Sequence, residues 1–472
     1  MNKIPLTSLG PLAAALLLGG CSLMPAYERP TAPVPAHWPA SAGATAQPGA
    51  SHQPDSASVA ADELPDWQGF FSDPALRQLI ETALAHNRDL RVAALNLEQA
   101  RAQLGLRRAE QWPGVGLAVN GSRTPNSSGD ITSSYSGGLL VTAYELDFFG
   151  RVSSLKEQAL AQYLASEAGR QSVRIGLVAG VAQGWLALLA DQAQLELARQ
   201  TLSAREASLG LIRLRLEHGA TSELELRQAE SLIENARVTL AQFERQRAQD
   251  ENALALLLGQ PLDPALRAEL AAQRLTALQL PQLAAGLPSQ RLTRRPDIVQ
   301  AEQQLIAANA NIGAARAAFF PRISLTTGIG SASGELSGLF KDGSWGFTLA
   351  PQLLLPIFDA GRNQAGLDAA RAGREAALAQ YEKAIQSAFR EVADALAGRE
   401  TLARQLQAQQ AQTTADARRL DLTELRLRHG AASQLDWLDA QRSLYASQQA
   451  LTQTRLAYWQ NQVTLYKVLG GG

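Results

Sequence analysis

Asp436 and Asp439 lie three residues apart, and Arg442 follows after the same interval. On a helix, residues three apart are neighbours on one face. The chemistry open to these side chains is electrostatic. Ser433 stands where an N-cap would, which puts Asp436 at the third helical position, where a carboxylate favours the helix dipole. Asp439 lies a turn deeper, where capping does not explain it, and Arg442 can reach it as a surface ion pair of small worth. Leu435 is the apolar residue just ahead of the pair. Elsewhere, His218-Gly219 and His429-Gly430 each join a residue whose protonated ring suits a helix C-terminus to a glycine able to cap it. Nowhere does a nucleophile stand beside a base, and none of the 37 glycines forms a phosphate-binding pattern. No cluster of metal ligands occurs either. The chain is therefore expected not to be an enzyme and to bind no metal or cofactor.

The elements that position these residues are read from the whole chain. It has 472 residues, 43 Lys+Arg against 44 Asp+Glu, one Cys and 6% aromatic residues. So small a net charge argues against a nucleic-acid partner. A single cysteine excludes a disulfide framework and any thiolate metal cluster. The hydrophobic content of 46% can fill a core, yet no run of about 18 consecutive apolar residues is present, so no α-helical crossing of a bilayer is expected. Lys3, the apolar run Leu12 to Leu18 and the small residues before Cys21 read as a secretory signal over residues 1–20. Leu18-Gly19-Gly20-Cys21 resembles a bacterial lipobox, which implies cleavage before Cys21 and a lipid, palmitate included, on the new N-terminus. Ser22, where an aspartate would resemble an inner-membrane retention signal, points to the outer membrane. Removing Lys3 leaves 42 cations against 44 anions, and electrostatics favours no membrane surface. Residues 21–65, rich in Pro, Ala, Ser and Gly, read as a lipidated surface tether with no core of its own.

Beyond the tether the sequence is written twice. Arg215-Leu-Glu-His-Gly-Ala-Thr-Ser222 returns as Arg426-Leu-Arg-His-Gly-Ala-Ala-Ser433, an offset of 211 that Gly150-Arg151 and Leu258-Gly259 share. Asp89 and Pro113 return as Asp297 and Pro321 at an offset of 208, so an indel of three residues intervenes. Two repeats, 66–260 and 288–472, flank a linker, 261–287. Each repeat reads as a helix, a β-hairpin and a long helical hairpin. The first helices run from Arg88 to Gln111 and from Pro296 to Phe319, and Pro113 and Pro321 stop them. The β-hairpins fall at 115–148 and 322–356. Trp345, Phe347, Leu349 and Leu353 alternate with Gly346, Thr348, Ala350 and Gln352, so one face suits lipid or core and the other tolerates water.

The helical hairpins, 151–257 and 362–469, hold most of the mass. Val181, Leu188, Leu195, Leu202, Leu209 and Leu216 recur every seven residues, the signature of a helix–helix seam. At ~1.5 Å per residue the first long helix spans about 100 Å. Ser222-x-x-Glu225 reads as a capping box that begins the return helix. Four strands of membrane-crossing length cannot satisfy their backbone groups in hydrocarbon without closing, and four cannot close. The chain must then supply one sector of a symmetric barrel: two copies would give a filled eight-stranded barrel, three an open twelve-stranded one. The competing reading is a soluble coiled-coil lipoprotein with β-arms, which leaves the apolar strand face without a purpose.

The tracts Tyr144-Glu-Leu-Asp-Phe-Phe-Gly-Arg151, Ala308 to Leu325, Gln380 to Asp394 and Leu438-Asp-Ala-Gln-Arg442 resemble the TolC-like outer membrane factors, in particular the OprM and OprJ type of lipoprotein. The resemblance covers essentially the whole mature chain. It implies a mixed, mainly α fold of two structural repeats, assembling as a homotrimer with a twelve-stranded outer-membrane β-barrel, a twelve-helix periplasmic α-barrel and an equatorial girdle around the linker. It also implies the partners, a periplasmic adaptor protein and a resistance-nodulation-division antiporter of the inner membrane, and a drug cargo. Protein secretion and metal-ion efflux use the same architecture and remain alternatives.

The resemblance gives the acidic pair a role. Asp436 and Asp439 match two aspartates that ring the pore at the periplasmic tip, Leu435 an apolar constriction residue and Arg442 an arginine near the gate. Threefold symmetry would bring six carboxylates to one level, attracting cations and raising one another's pKa values. His218, Gly219, His429 and Gly430, with Ala220 and Ala431 beside them, fall where the family contacts its adaptor. Two departures stand out: Leu427 replaces a tyrosine of the closed gate, and Ala432 replaces a locking arginine. The first repeat offers Glu225 and Gln228 in place of the aspartates, so the acidic ring belongs to the second.

Overall fold

A computed structural model describes residues 22–35, 38, 65–125, 127–278, 280–281 and 289–471. The signal segment and Cys21, with the lipid expected on it, lie outside these residues. Nine α-helices and four strands follow in order: α1 (Trp67–Phe70), α2 (Pro74–His86), α3 (Arg88–Ala109), β1 (Val115–Pro125), β2 (Ile131–Leu146), α4 (Arg151–Glu217), α5 (Glu223–Leu258), α6 (Pro264–Ala272), α7 (Pro296–Ala317), β3 (Arg322–Ser333), β4 (Trp345–Leu354), α8 (Arg362–Arg428) and α9 (Gln434–Val468) among the described residues. α4 and α8 have 67 residues each, so both repeats carry a rod of about 100 Å. One 18-residue stretch of α4 is apolar enough to cross a membrane, with mean hydropathy 1.6, but 61% of it is buried inside the chain. It is the core stretch of a packed helix, whose apolar residues are interrupted by polar ones.

The chain folds as two compact units, and each draws on both repeats. The first takes its residues from Met1–Ala32, Leu95–Ala168 and Asp297–Ala384. It holds the single antiparallel sheet, in the order β1-β2-β3-β4. β2 pairs with β3, one from each repeat, and this pairing is why the unit cuts across the repeats. Paired residues point to the same side of a sheet. Val115, Leu117 and Val119 of β1, Leu139 and Val141 of β2, Ile329 of β3 and Phe347, Leu349 and Leu353 of β4 therefore share one face, and the last three stand 58–69% exposed. The opposite face is small or polar apart from Leu140 and Leu354. There Gly138 lies across from Gly330, and a Cβ on Gly330 would come 2.5 Å from Gly137 O and 2.7 Å from Gly138 Cα. This close approach leaves no room for a side chain on either glycine. A bulge between Val141 and Tyr144, with Ala143 at φ 50°, shifts the register before the chain turns into α4.

The turn into α4 explains the Tyr144 to Arg151 tract. Asp147 accepts hydrogen bonds from the backbone N–H groups of Val152 and Ser153 at 3.0 and 2.8 Å, capping the long helix. Glu145 accepts two from Arg151, both 2.7 Å, and a third group, Arg322, reaches it at 2.6 Å. Asp359 does for α8 what Asp147 does for α4, accepting from Gly361 and Asn363.

Of the surface tether expected over 21–65, residues 36–37 and 39–64 lie outside the described residues, and the stretch from Leu23 to Arg29 is docked as a strap. Tyr27 and Arg29 both donate to Glu302 of α7, Arg29 with two nitrogens at 2.6 and 2.9 Å. Asn309 and Arg316 donate to the carbonyls of Pro25 and Leu23. Gly313 lets the strap lie flat, since a Cβ there would meet Met24 Cα at 2.9 Å. Polar anchoring of this kind leaves no hydrophobic pattern in the strap itself.

The second unit comprises Pro33–Ala94, Gly169–Pro296 and Ile385–Gly472. Its core is the fully buried set Trp185, Tyr466, Phe70 and Phe71, with Phe70 stacked on Tyr466 at 4.2 Å. Trp185 donates to Gln273 beyond α6, and Asn87 donates to the carbonyl of Leu257 near the end of α5. Within this unit α4 and α5 form one antiparallel hairpin, and α8 and α9 form another.

Candidate functional site

Both helical hairpins turn in the same way. After α4, Gly219 at φ 67° donates to Leu216 O and Ala220 donates to Arg215 O; after α8, Gly430 at φ 70° donates to Leu427 O and Ala431 to Arg426 O. These pairs of bonds are a Schellman motif, and the left-handed residue inside it favours glycine. His218 and His429 are exposed at the last turn of each long helix. Leu427 and Ala432 fall at the second turn, where Leu427 serves as a carbonyl acceptor for the cap.

The return helices start differently. In α9 the capping box is complete: Ser433 Oγ accepts from Asp436 N at 3.1 Å, and Asp436 Oδ2 accepts from Ser433 N at 2.9 Å and from its hydroxyl at 2.7 Å. These hydrogen bonds, the hydroxyl's foremost, hold the Asp436 carboxyl below its ordinary pKa. In α5 only half of the expected box forms. Ser222 accepts from Glu225 N at 3.3 Å, but the Glu225 carboxylate takes the hydroxyl of Thr221. Thr221 has no counterpart in the second copy, where Ala432 stands, and the neighbouring hydroxyl competes successfully for the carboxylate.

Asp439 is half-exposed, and Arg442 Nη2 reaches its Oδ1 at 2.8 Å. Leu435 is 51% exposed, an apolar side chain with little cover in the chain. Within one chain, then, Asp436 and Ser433 are brought together, Asp439 and Arg442 are brought together, and the two pairs occupy successive turns of one helix.

Reasoning from sequence missed two charged residues in the same unit. Asp191 and Arg205 stand three residues after Leu188 and Leu202, at the companion core position of the heptad. They are 8% and 5% exposed. Desolvation, with Asp250 as hydrogen-bonding and like-charged neighbour, raises the Asp191 pKa to about 7. The signal was present as two charges on the inner seam of an apolar repeat. No group of three or more His, Cys, Asp or Glu able to hold a metal occurs among the described residues.

Comparison with known proteins agrees with this geometry. The family model for outer membrane efflux proteins matches residues 79–260 and 287–471. The probable efflux pump outer membrane protein TtgC of Pseudomonas putida is 49% identical over 97% of this chain and 94% of its own length. Outer membrane protein OprJ of Pseudomonas aeruginosa is 44% identical over 99% of this chain and 96% of its own. Among solved structures, the open state of the MtrE outer membrane channel of Neisseria gonorrhoeae superposes with a TM-score of 0.83 at 38% identity, covering 96% of this chain and 98% of that one.

Proposed function

The chain belongs to the outer membrane efflux protein family, and from that premise we propose how it works: three lipid-anchored copies close one barrel, and a ring of carboxylates gates the duct at its periplasmic end. Its place is the outer membrane, and its function is to serve as the exit duct of an efflux pump. The observation that carries the proposal is the sheet. Its apolar face is exposed, while β1 and β4 are edge strands with no partner beyond them in the sheet. In hydrocarbon each unpaired N–H or C=O costs several kcal/mol, so the edges require the edges of further copies. Three copies supply twelve strands, enough for an open lumen.

The partners proposed are a periplasmic adaptor, seated at the His218-Gly219 and His429-Gly430 turns, and an inner-membrane antiporter of the resistance-nodulation-division type. Small drugs and solvents are the cargo. Cys21 carries the acyl chains, and the docked strap from Leu23 to Arg29 fixes where they leave the protein. No chemistry is performed on the cargo: the work of the tip carboxylates is electrostatic. Recording single-channel current from the mature protein in planar bilayers, beside an Asp436→Ala, Asp439→Ala double variant, tests the reading. Cation-preferring current that loses its preference in the variant is expected. Absence of current from inserted wild-type trimers would remove the duct, and equal selectivity would remove the carboxylates as its gate.

A further inference from the structure

The gate-locking tyrosine and arginine of the resembled family are replaced here by Leu427 and Ala432, so any tie between the two helical hairpins must come from other residues. Among the described residues, three polar links cross from α4 to α9. Gln183 donates to Thr464 at 3.0 Å, Gln194 donates to the carbonyl of Gln449 at 3.0 Å, and the Arg205 guanidinium lies 5.5 Å from the centre of the Tyr445 ring. Their α4 residues are spaced by 11, three helical turns each. Among the described residues, Arg205 with Tyr445 is the tie closest to the tips.

The first two links are neutral amides, and the third is a charge. Arg205 is 5% exposed, and its Nη1 donates to the carbonyl of Leu232 on α5 at 2.7 Å. Among the described residues no carboxylate neutralises it, and burial pushes its pKa down from the ordinary value. The side chain is thus fixed on its own hairpin, α4 to α5, and meets the second hairpin only through an aromatic face. Just towards the tip, Leu209, Ile212, Ala229 and Ile233 pack as an apolar cluster within the first hairpin. A cation held beside such a cluster is stabilised by the ring, yet regains hydration when the ring leaves.

We propose that Arg205 is a gating residue: a buried, uncompensated cation that keeps the seam between the hairpins weak, so that α9 parts from α4 more readily than an apolar seam would allow. It acts through Tyr445 and touches no cargo. The inference rests on the exit-duct reading and adds to it a residue remote from the carboxylate ring.

Two variants test it because they are expected to act in opposite directions. Arg205→Met keeps the length and apolar stem and removes the buried charge, so the seam tightens. In planar bilayers, opening events of the variant should fall at least tenfold below wild type, and its thermal midpoint should rise. Tyr445→Leu leaves the cation without its ring, and openings should become several-fold more frequent. If both variants leak more and melt lower, Arg205 is ordinary packing and the proposal is overturned; unchanged opening in both overturns it as well. Wild-type trimers that carry no current would instead count against the duct, and the sign of the Arg205→Met midpoint shift would still decide whether the buried charge weakens the seam.

Discussion

Replacing Glu302 by Gln should free the strap from Leu23 to Arg29 while leaving the rest of the molecule folded. Glu302 is buried and accepts three hydrogen bonds, one from Tyr27 at 3.0 Å and two from Arg29 at 2.6 and 2.9 Å. Glutamine keeps the shape but removes the charge and turns one oxygen into an NH2 group that faces an arginine donor. A hydrogen bond to a charged group contributes about 1.5–3 kcal/mol. Arg29 is 58% exposed, so solvent screens its share, and a net loss of about 2 kcal/mol is expected. The two carbonyl contacts from Asn309 and Arg316 remain, so the strap should open locally without global unfolding. About 2 kcal/mol corresponds to a roughly 30-fold larger open population. Chymotryptic cleavage after Tyr27, under conditions where opening and closing outrun cleavage, reports that population directly. Cleavage should accelerate about 30-fold at an unchanged thermal midpoint. Equal cleavage rates in variant and wild type would show that the strap is not held by this charge.

Asp191→Asn tests the buried carboxyl. With a folded pKa raised to about 7, the protein binds a proton more tightly than the unfolded chain does, so the wild type should lose stability as pH rises from about 4 to above 7. The variant should lack that loss and gain roughly 4 kcal/mol at pH 8, measurable as a midpoint difference that vanishes near pH 4. Gly330→Ala would drive a Cβ into the backbone of Gly137 and Gly138, a clash beyond the ~3 kcal/mol of ordinary overpacking, and trimer yield should collapse on a native gel. Gly430→Ala meets no atom within 4 Å, so its cost is conformational only, about 1–2 kcal/mol from φ 70°, and calorimetry should find a modest fall with assembly intact. Single substitutions at the tip should rank: Asp436→Asn removes more cation preference than Asp439→Asn, and Arg442→Ala increases it, as reversal potentials in a salt gradient would show.

Much of the fold was legible because duplication and periodicity are local signals. The offset of 211 placed both glycine turns, the prolines placed the helix ends, and alternation at Trp345 to Leu353 marked a strand with two unlike faces. What escaped is what depends on contacts distant in sequence. The strap looked like a tether because its composition is that of one, and its hold comes from Glu302, 273 residues beyond Arg29. The compact units cut across the repeats because strand pairing joins β2 to β3, which no repeat pattern records. Helices α1, α2 and α6 are short; α2 nevertheless buries Ala75, Leu76, Leu79, Ile80 and Ala83 at helical spacing, a local signal that the sequence already carried.

At the tip, sequence position and structure assign the two aspartates differently. Position alone favours Asp439 as the functional carboxylate, because a capping box already accounts for Asp436. The geometry separates the two demands. Capping engages Asp436 through Oδ2, which takes both bonds from Ser433, while the residue stays exposed and its lowered pKa keeps it charged. The cap therefore holds the carboxylate by Oδ2 and makes no use of its second oxygen. Asp439, by contrast, has Arg442 at 2.8 Å, which offsets its charge locally, although an exposed pair of this kind contributes little to stability. A carboxylate held in place and left charged is better suited to a cation-attracting ring than one paired with its own arginine. The features that make Asp436 look merely structural in a single chain are thus the ones that would preorganise it for the proposed carboxylate ring.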